Sequence, residues 1–149
     1  MKYLTKDWYL RCQTWPISQE LWAEINDTLK TFRAVQEAEP LPEGLLKAFQ
    51  FHDFEALSSS QSEPGADLLL RLGEPGFESR LLTFRNAYVK GTLPPKDSTL
   101  IYWELYRHKS GHGLEVHLLF HHWTKGAKKV TAEQLFDPII RCEELLISE

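Results

Sequence analysis

Most histidines of this chain, side chains that can move a proton or bind a metal, lie between Tyr102 and Trp123. This stretch contains five of the six histidines, together with Glu104 and Glu115. A carboxylate beside an imidazole raises the pKa of that imidazole and can orient it as a base. Histidine and carboxylate groups are also common zinc ligands. Whether any of these side chains converge depends on the elements that carry them.

The alternation of apolar and polar residues on both sides of "KSGH" predicts a β-hairpin with Ser110 and Gly111 in the turn. In this register one face is apolar and is expected to lie on the core: Leu105–Val116, Trp103–Leu118 and Ile101–Phe120. The other face is polar and aromatic: Tyr106–Glu115, Glu104–His117, Tyr102–Leu119 and Leu100–His121. A slip of one residue would mix the two faces, so the alternation supports this register.

The polar face of the hairpin is the candidate ligand or partner site. It consists of Tyr102, Glu104, Tyr106, Glu115, His117 and His121. Directly opposed residues have Cβ atoms about 4.5–5.5 Å apart, which brings Glu104 and His117 within contact range. One hypothesis is a Glu–His pair in a tyrosine-lined cleft that binds or deprotonates a ligand. The other is an exposed cross-strand ion pair that contributes less than about 1 kcal/mol to stability.

The spacing of these groups argues against a metal site. His117 and His121 are four residues apart on one strand, roughly 13 Å by strand rise, which is too far for both to bind one ion. A site built on Glu104 and His117 would need a third ligand, such as His52 or Asp53. The sequence also lacks G-x-S-x-G and a phosphate-binding glycine loop. We therefore expect no metal and no cofactor, and we assign no catalytic residue.

The elements that must position this face are predicted from residue periodicity. Apolar residues at helical spacing after Ser18 predict a main helix at about 18–38, whereas the pattern alternates after residue 51. The predicted fold is α+β: N-terminal helices packed on one face of a mainly antiparallel sheet of about five or six strands. We expect a single domain over 1–149, mainly helical over 1–50 and mainly strands over 51–149.

The tail of the chain allows two interpretations. Pro138 forbids a continuous helix through it, and an edge strand over 133–142 is favoured because proline is tolerated at a sheet edge. A helix over 139–148 is the alternative, so residues 133–147 are predicted as strand with helix left open.

Composition limits the classes of partner. A formal net charge of -4 does not favour binding to nucleic acid. No apolar run reaches the roughly 18 residues that span a bilayer, so we expect no membrane partner. The first 15 residues lack the apolar core of a signal peptide, which predicts a cytoplasmic protein.

Several short segments resemble a known family. "KYLTKDWY", "FHDFE", "LLTFRNAYV" and "YWELYR" followed by "GLEVHLLF" occur in that order. Together they resemble an uncharacterised family of bacterial proteins, a domain of unknown function found mainly in Firmicutes. The resemblance covers most of the chain and implies a cytoplasmic bacterial protein of mixed helix and strand. It carries no known activity and therefore transfers no catalytic residue.

Two classes of function follow from these observations. The lack of a catalytic motif and the abundance of tyrosine and tryptophan favour a non-catalytic module that binds a protein partner, similar to immunity or adaptor proteins. The alternative is a small enzyme or ligand-binding protein that uses the Glu/His/Tyr face. A deep cleft at Glu104 and His117 would favour the enzyme.

Overall fold

The computed structural model describes residues 1–74 and 76–149 and has the predicted α+β architecture with a mainly antiparallel sheet. Its helical elements are α1 (Lys6–Cys12), α2 (Gln19–Ala38), α3 (Leu45–Ala48) and a 3-10 turn at Ala132–Gln134. Its strands are β1 (Glu55–Ser60), β2 (Leu68–Gly73), β3 (Ser79–Arg85), β4 (Tyr88–Lys90), β5 (Thr99–Arg107), β6 (Leu114–His121), β7 (Leu135–Phe136), β8 (Ile139–Cys142) and β9 (Glu144–Ser148).

The first two helices each begin after a hydroxyl residue that caps them. The Thr5 hydroxyl accepts the N–H of Trp8 at 3.1 Å, and the Ser18 hydroxyl accepts the N–H of Leu21 at 3.1 Å. Each bond satisfies an N–H that has no partner within its helix. The prediction of a main helix at about 18–38 is therefore confirmed by α2. Among the described residues, no helix combines the length and the apolar character needed to cross a membrane.

The number of strands was predicted wrongly. The described residues form nine strands, not five or six, in the order β4-β8-β6-β5-β1-β2-β3-β9, with β7 paired to β6. The chain bends at Asn86, which has φ 49°, so that residues 79–90 form two strands, β3 and β4. The tail is strand rather than helix, and it is divided into β7, β8 and β9. β8 does not lie at an edge, because it pairs with both β4 and β6.

The bend at Asn86 and the break between β8 and β9 allow the sheet to curl around its core. β3 pairs with β9, and their continuations β4 and β8 pair with each other, so the two ends of the strand order meet. Side chains from almost every strand then point into one apolar interior. Its fully buried members include Leu68, Leu70, Leu72, Leu82, Phe84, Leu105, Val116, Leu118 and Phe120.

The predicted layer of helices on one face of the sheet is wrong. The apolar face of the hairpin lies inside the curled sheet, where other strands cover it, and not under α2. Among the side chains of α2, only Ile25 and Gln36 are buried. The N-terminal segment, residues 1–12, instead lies over the outer face of β5 and β6: Trp8 contacts Tyr102 with ring centroids 5.5 Å apart.

Candidate functional site

The predicted pairing of the hairpin is confirmed over most of its length. Glu104 lies opposite His117, as predicted, and the neighbouring pairs agree: Tyr102–Leu119, Trp103–Leu118, Leu105–Val116, Tyr106–Glu115 and Arg107–Leu114. The register then shifts between Leu100 and Tyr102, so that Leu100 pairs with Phe120. The predicted pairs Leu100–His121 and Ile101–Phe120 are therefore wrong, because Ile101 is the extra residue of a β-bulge.

The polar face is an interior layer rather than an open surface. The exposed fraction is 0% for Glu104, 3% for His117, 1% for His121 and 4% for Tyr106. The N-terminal segment covers them, and within it the Tyr9 ring lies 6.3 Å from the His121 ring. The face therefore does not present a flat surface to solvent, and its central groups are not open to a ligand.

The carboxylate of Glu104 is occupied by hydrogen bonds from its own chain. Its oxygens accept the backbone N–H groups of Lys2, Tyr3 and Leu4 at 2.7, 3.0 and 2.7 Å. They also accept the hydroxyl of Tyr106 at 2.8 Å. Burial, and next the hydrogen bond to Glu104, raise the pKa of Tyr106 and keep its hydroxyl protonated. Glu104 thus anchors the N-terminal segment to the sheet.

His117 forms its hydrogen bond with Glu115, two residues away on the same strand, and not with Glu104. Its Nε2 lies 2.7 Å from a Glu115 oxygen, so Nε2 carries the proton and donates it. Burial lowers the pKa of His117, which leaves the ring neutral at pH 7. The bare Nδ1 is buried with no hydrogen-bond partner among the described residues. The opposed Glu104–His117 positions therefore do not form the acid–base pair that their spacing suggested.

His121 is held in a second polar contact at the other end of the face. Its Nε2 lies 3.2 Å from the side-chain oxygen of Gln134, which also accepts the N–H of Thr131 at 3.2 Å. The His121 ring stacks on Trp123 with centroids 4.0 Å apart. Burial lowers the pKa of His121 as well. The amide of Gln134 thus connects the end of β6 to the 3-10 turn.

We expect the protein to lose stability as the pH falls from 7 to about 5. The folded-state pKa values of His117 and His121 lie below the ordinary 6.5, so the unfolded chain takes up protons first. Their contribution to the free energy of unfolding is complete above pH 6.5 and is lost as the pH falls through the lowered values. Urea unfolding at a series of pH values measures this slope.

His117→Gln and His112→Gln form a matched pair for this measurement. His112 is exposed in the hairpin turn, and we expect its substitution to leave the slope unchanged. His117→Gln removes one of the two buried imidazoles and should flatten the slope, whatever it does to the absolute stability. A parent protein whose free energy of unfolding does not change with pH in this range would contradict the assignment.

Besides Glu115, Tyr102 is a member of the face that remains partly accessible. It is half-buried, and burial raises the pKa of its hydroxyl. It lines a groove of about 410 Å³ between β5 and α2, together with Ile101, Trp103 and His52. This volume lies within the range of small-ligand pockets. Sequence reasoning chose Tyr102 but did not predict the groove, since the residues of α2 that form its far wall are distant in the sequence.

Gln36 is a residue that sequence reasoning missed. It lies at the end of the helical stripe of α2, and its side-chain amide pairs with the backbone of Leu105. The amide donates to the Leu105 C=O at 2.7 Å and accepts the Leu105 N–H at 2.8 Å. Gln36 therefore takes the place of a neighbouring strand. A polar residue at the end of an apolar stripe is the signal that could have indicated it.

The described residues hold no group of three or more His, Cys, Asp or Glu side chains placed to bind a metal ion. A second groove, of about 560 Å³, lies at the tip of the hairpin and is lined by His108, His112 and Arg141 among others. Comparison with known proteins adds no relative: no protein-family model, no curated protein and no solved structure matches the chain.

Proposed function

We propose that the protein is a non-catalytic module that binds a protein partner, in the manner of immunity or adaptor proteins, in a bacterial cytoplasm. The observation that carries this proposal is the exposure of three of the five tryptophans. Trp15 is 85% exposed, Trp22 54% and Trp123 60%. Tryptophan is highly buried on average, so indoles that face water in the free protein are typical of a surface that a partner covers.

The three exposed indoles lie on connected parts of the molecule, which we name the indole surface. Trp15 follows Thr14, and Thr14 and Trp123 line the same groove of about 390 Å³. Trp22 lies on the first turn of α2, whose Glu24 forms an ion pair with Arg11 of α1. The groove therefore places Trp123 beside the end of α1, and the ion pair places the start of α2 beside the end of α1 as well.

The physical chemistry of the indole surface suits a protein partner. An aromatic side chain buries about 150–250 Å² when covered, which at about 25 cal/mol per Å² favours association by several kcal/mol. Lys128 and Lys129 line the groove beside Trp123 and favour an acidic rim on that partner. The net charge of -4 supports a protein partner over nucleic acid.

The alternative, a small enzyme or ligand-binding protein using the Glu/His/Tyr face, gains no support from the geometry. A reacting group must be within reach of its substrate. Glu104 is fully buried and bonded to backbone N–H groups, and His117 is buried beside Glu115. We therefore place the binding function on the indole surface.

We expect Trp15→Ala and Trp123→Ala each to weaken partner binding by about 30-fold, because truncating a tryptophan at an interface centre costs about 2 kcal/mol or more. A photo-crosslinking residue at position 15 or 123 would capture the partner in cells that make the protein. Mass spectrometry identifies it, and calorimetry with the purified partner measures the affinities.

Phe77→Ala is the matched control, because Phe77 is an aromatic side chain that is 83% exposed in the connection between β2 and β3. We expect this change to leave the affinity within about threefold of the parent value. The proposal fails if a crosslinker at position 77 captures the same proteins as one at position 15, or if the tryptophan variants bind as tightly as the parent.

A further inference from the structure

The outer edge of β5, on the side away from β6, is not fully hydrogen-bonded to the residues that the structure describes. In an antiparallel pair, alternate residues point their N–H and C=O groups away from the partner strand. His108 donates to Gly113, which places Trp103 and Leu105 among the residues that point away from β6. The N–H of Leu118, opposite Trp103, accordingly donates outward to Pro138.

Other parts of the chain satisfy almost every outward-pointing group of β5. The N–H of Leu100 donates to Phe54, and its C=O accepts from Asp53. Further along, Gln36 binds both backbone groups of Leu105, and the Glu39 carboxylate accepts the N–H of Arg107 at 2.8 Å. β1 pairs with β5 only through Glu55 and Thr99, so it does not extend along this edge.

Unlike Arg107, whose C=O alone has no partner among the described residues, Trp103 has none at either outward group. No other described residue is bonded to its outward N–H or C=O, whether through backbone or through side chain. Trp103 also lines the 410 Å³ groove between β5 and α2. Its indole packs on Phe49 with ring centroids 5.3 Å apart, which holds this position of the strand against the core. A rigid strand position with a free donor and a free acceptor therefore faces an open groove.

We propose that this groove binds a short extended segment of a partner protein, which adds to the edge of β5 by pairing with the backbone of Trp103. An added strand satisfies both free groups at once, as the side-chain amide of Gln36 does for Leu105. The site is separate from the indole surface, and neither proposal depends on the other.

The length of the segment follows from the residues that flank Trp103 on this edge. Leu100 and Leu105 are already paired on this edge, so the free stretch between them has room for about three residues, roughly 10 Å at the rise of a strand. A longer strand would collide with Gln36 at one end and with Asp53 at the other. The segment must therefore leave the edge after about three residues.

The walls of the groove set the chemistry of this segment. Phe32, Leu46 and Tyr102 supply apolar area for a side chain of the segment. Arg33 and Glu37, on neighbouring turns of α2, contribute opposite charges and therefore no net preference for an acidic or basic segment. An uncharged segment with a β-branched or other apolar central residue fits this lining best.

Amide hydrogen exchange of the free protein tests whether the Trp103 N–H is free. We expect the Trp103 amide to exchange about 100-fold faster than the amides of Tyr102 and Glu104, which are bonded within the β5–β6 ladder. Equal protection of the three amides would overturn the proposal, because it would show that the Trp103 N–H already has a partner.

A titration of the protein with the peptide acetyl-Thr-Val-Thr-amide tests whether an extended segment binds in the groove. Binding is monitored by NMR through the amide resonances of the protein. We expect a saturable shift of the Trp103 resonance and slower exchange of its amide. The same peptide with an N-methylated valine lacks the central donor, and we expect it to bind about tenfold more weakly. If the methylated peptide binds equally well, or if neither peptide shifts the Trp103 resonance, strand addition is excluded.

A variant that fills the groove gives an independent check. We expect Leu46→Trp to abolish the peptide-induced shift, and Leu146→Trp, at a leucine that is 44% exposed and does not line this groove, to preserve it. Peptide binding that survives Leu46→Trp in a folded protein would place the peptide elsewhere and overturn the proposal. If that variant does not fold, the methylated peptide decides the question.

Discussion

Glu104→Gln should destabilise the protein by about 2–6 kcal/mol, because two buried donors lose their acceptor at about 1–3 kcal/mol each. Each carboxylate oxygen of Glu104 accepts two hydrogen bonds: one oxygen from Lys2 and Tyr106, the other from Tyr3 and Leu4. An amide of the same shape turns an NH₂ group toward two of these donors. The loss falls on the N-terminal segment, because three of the four donors belong to it.

Two measurements separate this effect from a general loss of stability. Urea unfolding gives the free energy, and hydrogen exchange at Lys2, Tyr3 and Leu4 shows whether the segment has left the sheet. We expect these three amides to lose protection before the amides of β6 do. Glu144→Gln, at a carboxylate whose side chain is 55% exposed, should cost less than about 0.5 kcal/mol.

The opposite result would mean that Glu104 does not hold the N-terminal segment over the Glu/His/Tyr face. If Glu104→Gln unfolded at the same urea concentration as the parent, the bonds to the N-terminal segment would contribute nothing net to stability. The segment would then be free to lift from the sheet, and the Glu/His/Tyr face could open to a ligand. That outcome would restore the alternative function that the closed geometry does not support.

Side-chain alternation predicted the hairpin because the two faces of a strand differ in what they bury. A slip would have placed Trp103 opposite a polar residue, so the pairing of Glu104 with His117 followed from pattern alone. The bulge did not follow, since Leu100 and Ile101 are both apolar. Nothing in an apolar pair marks which of the two is the extra residue.

The exposure of the polar face could not be predicted from its side chains. Glutamate and histidine suggest contact with water, yet Glu104 is fully buried. Its partners are backbone N–H groups of residues 2–4, and every sequence supplies such donors wherever the chain happens to pass. Only the path of the N-terminal segment reveals them, and that path depends on tertiary packing rather than on a local pattern.

The covering of the core was predicted wrongly for a related reason. Leu29 and Phe32 lie on an apolar stripe of α2, but both are only half-buried, because the curled sheet already covers its own inner face. The curl depends on the bend at Asn86, whose positive φ is a conformation that asparagine tolerates better than most residues. An asparagine between Arg85 and Ala87, within an apparent strand, was the signal in the sequence that could have indicated this bend.

Gly113→Ala should cause the second large loss of stability, because the hairpin and the tail of the chain approach each other closely at Gly113. Gly113 has φ 76°, and a Cβ built there would lie 2.4 Å from the carbonyl oxygen of Cys142. Backbone atoms on both sides meet at this point, so no side chain can rotate away. We expect a loss of about 3 kcal/mol or more, from the strained φ and from the displacement of β6 relative to β8.

Gly111→Ala is the matched control for the strained φ alone. Gly111 has φ 81°, and a Cβ there would meet no atom of the described residues within 4 Å, so its substitution should cost only about 1 kcal/mol. The difference between the two free energies of unfolding, measured in urea, isolates the contact between Gly113 and Cys142. Equal losses would show that the end of the hairpin can move away from the junction of β8 and β9, and that the curled sheet is not held closed at this point.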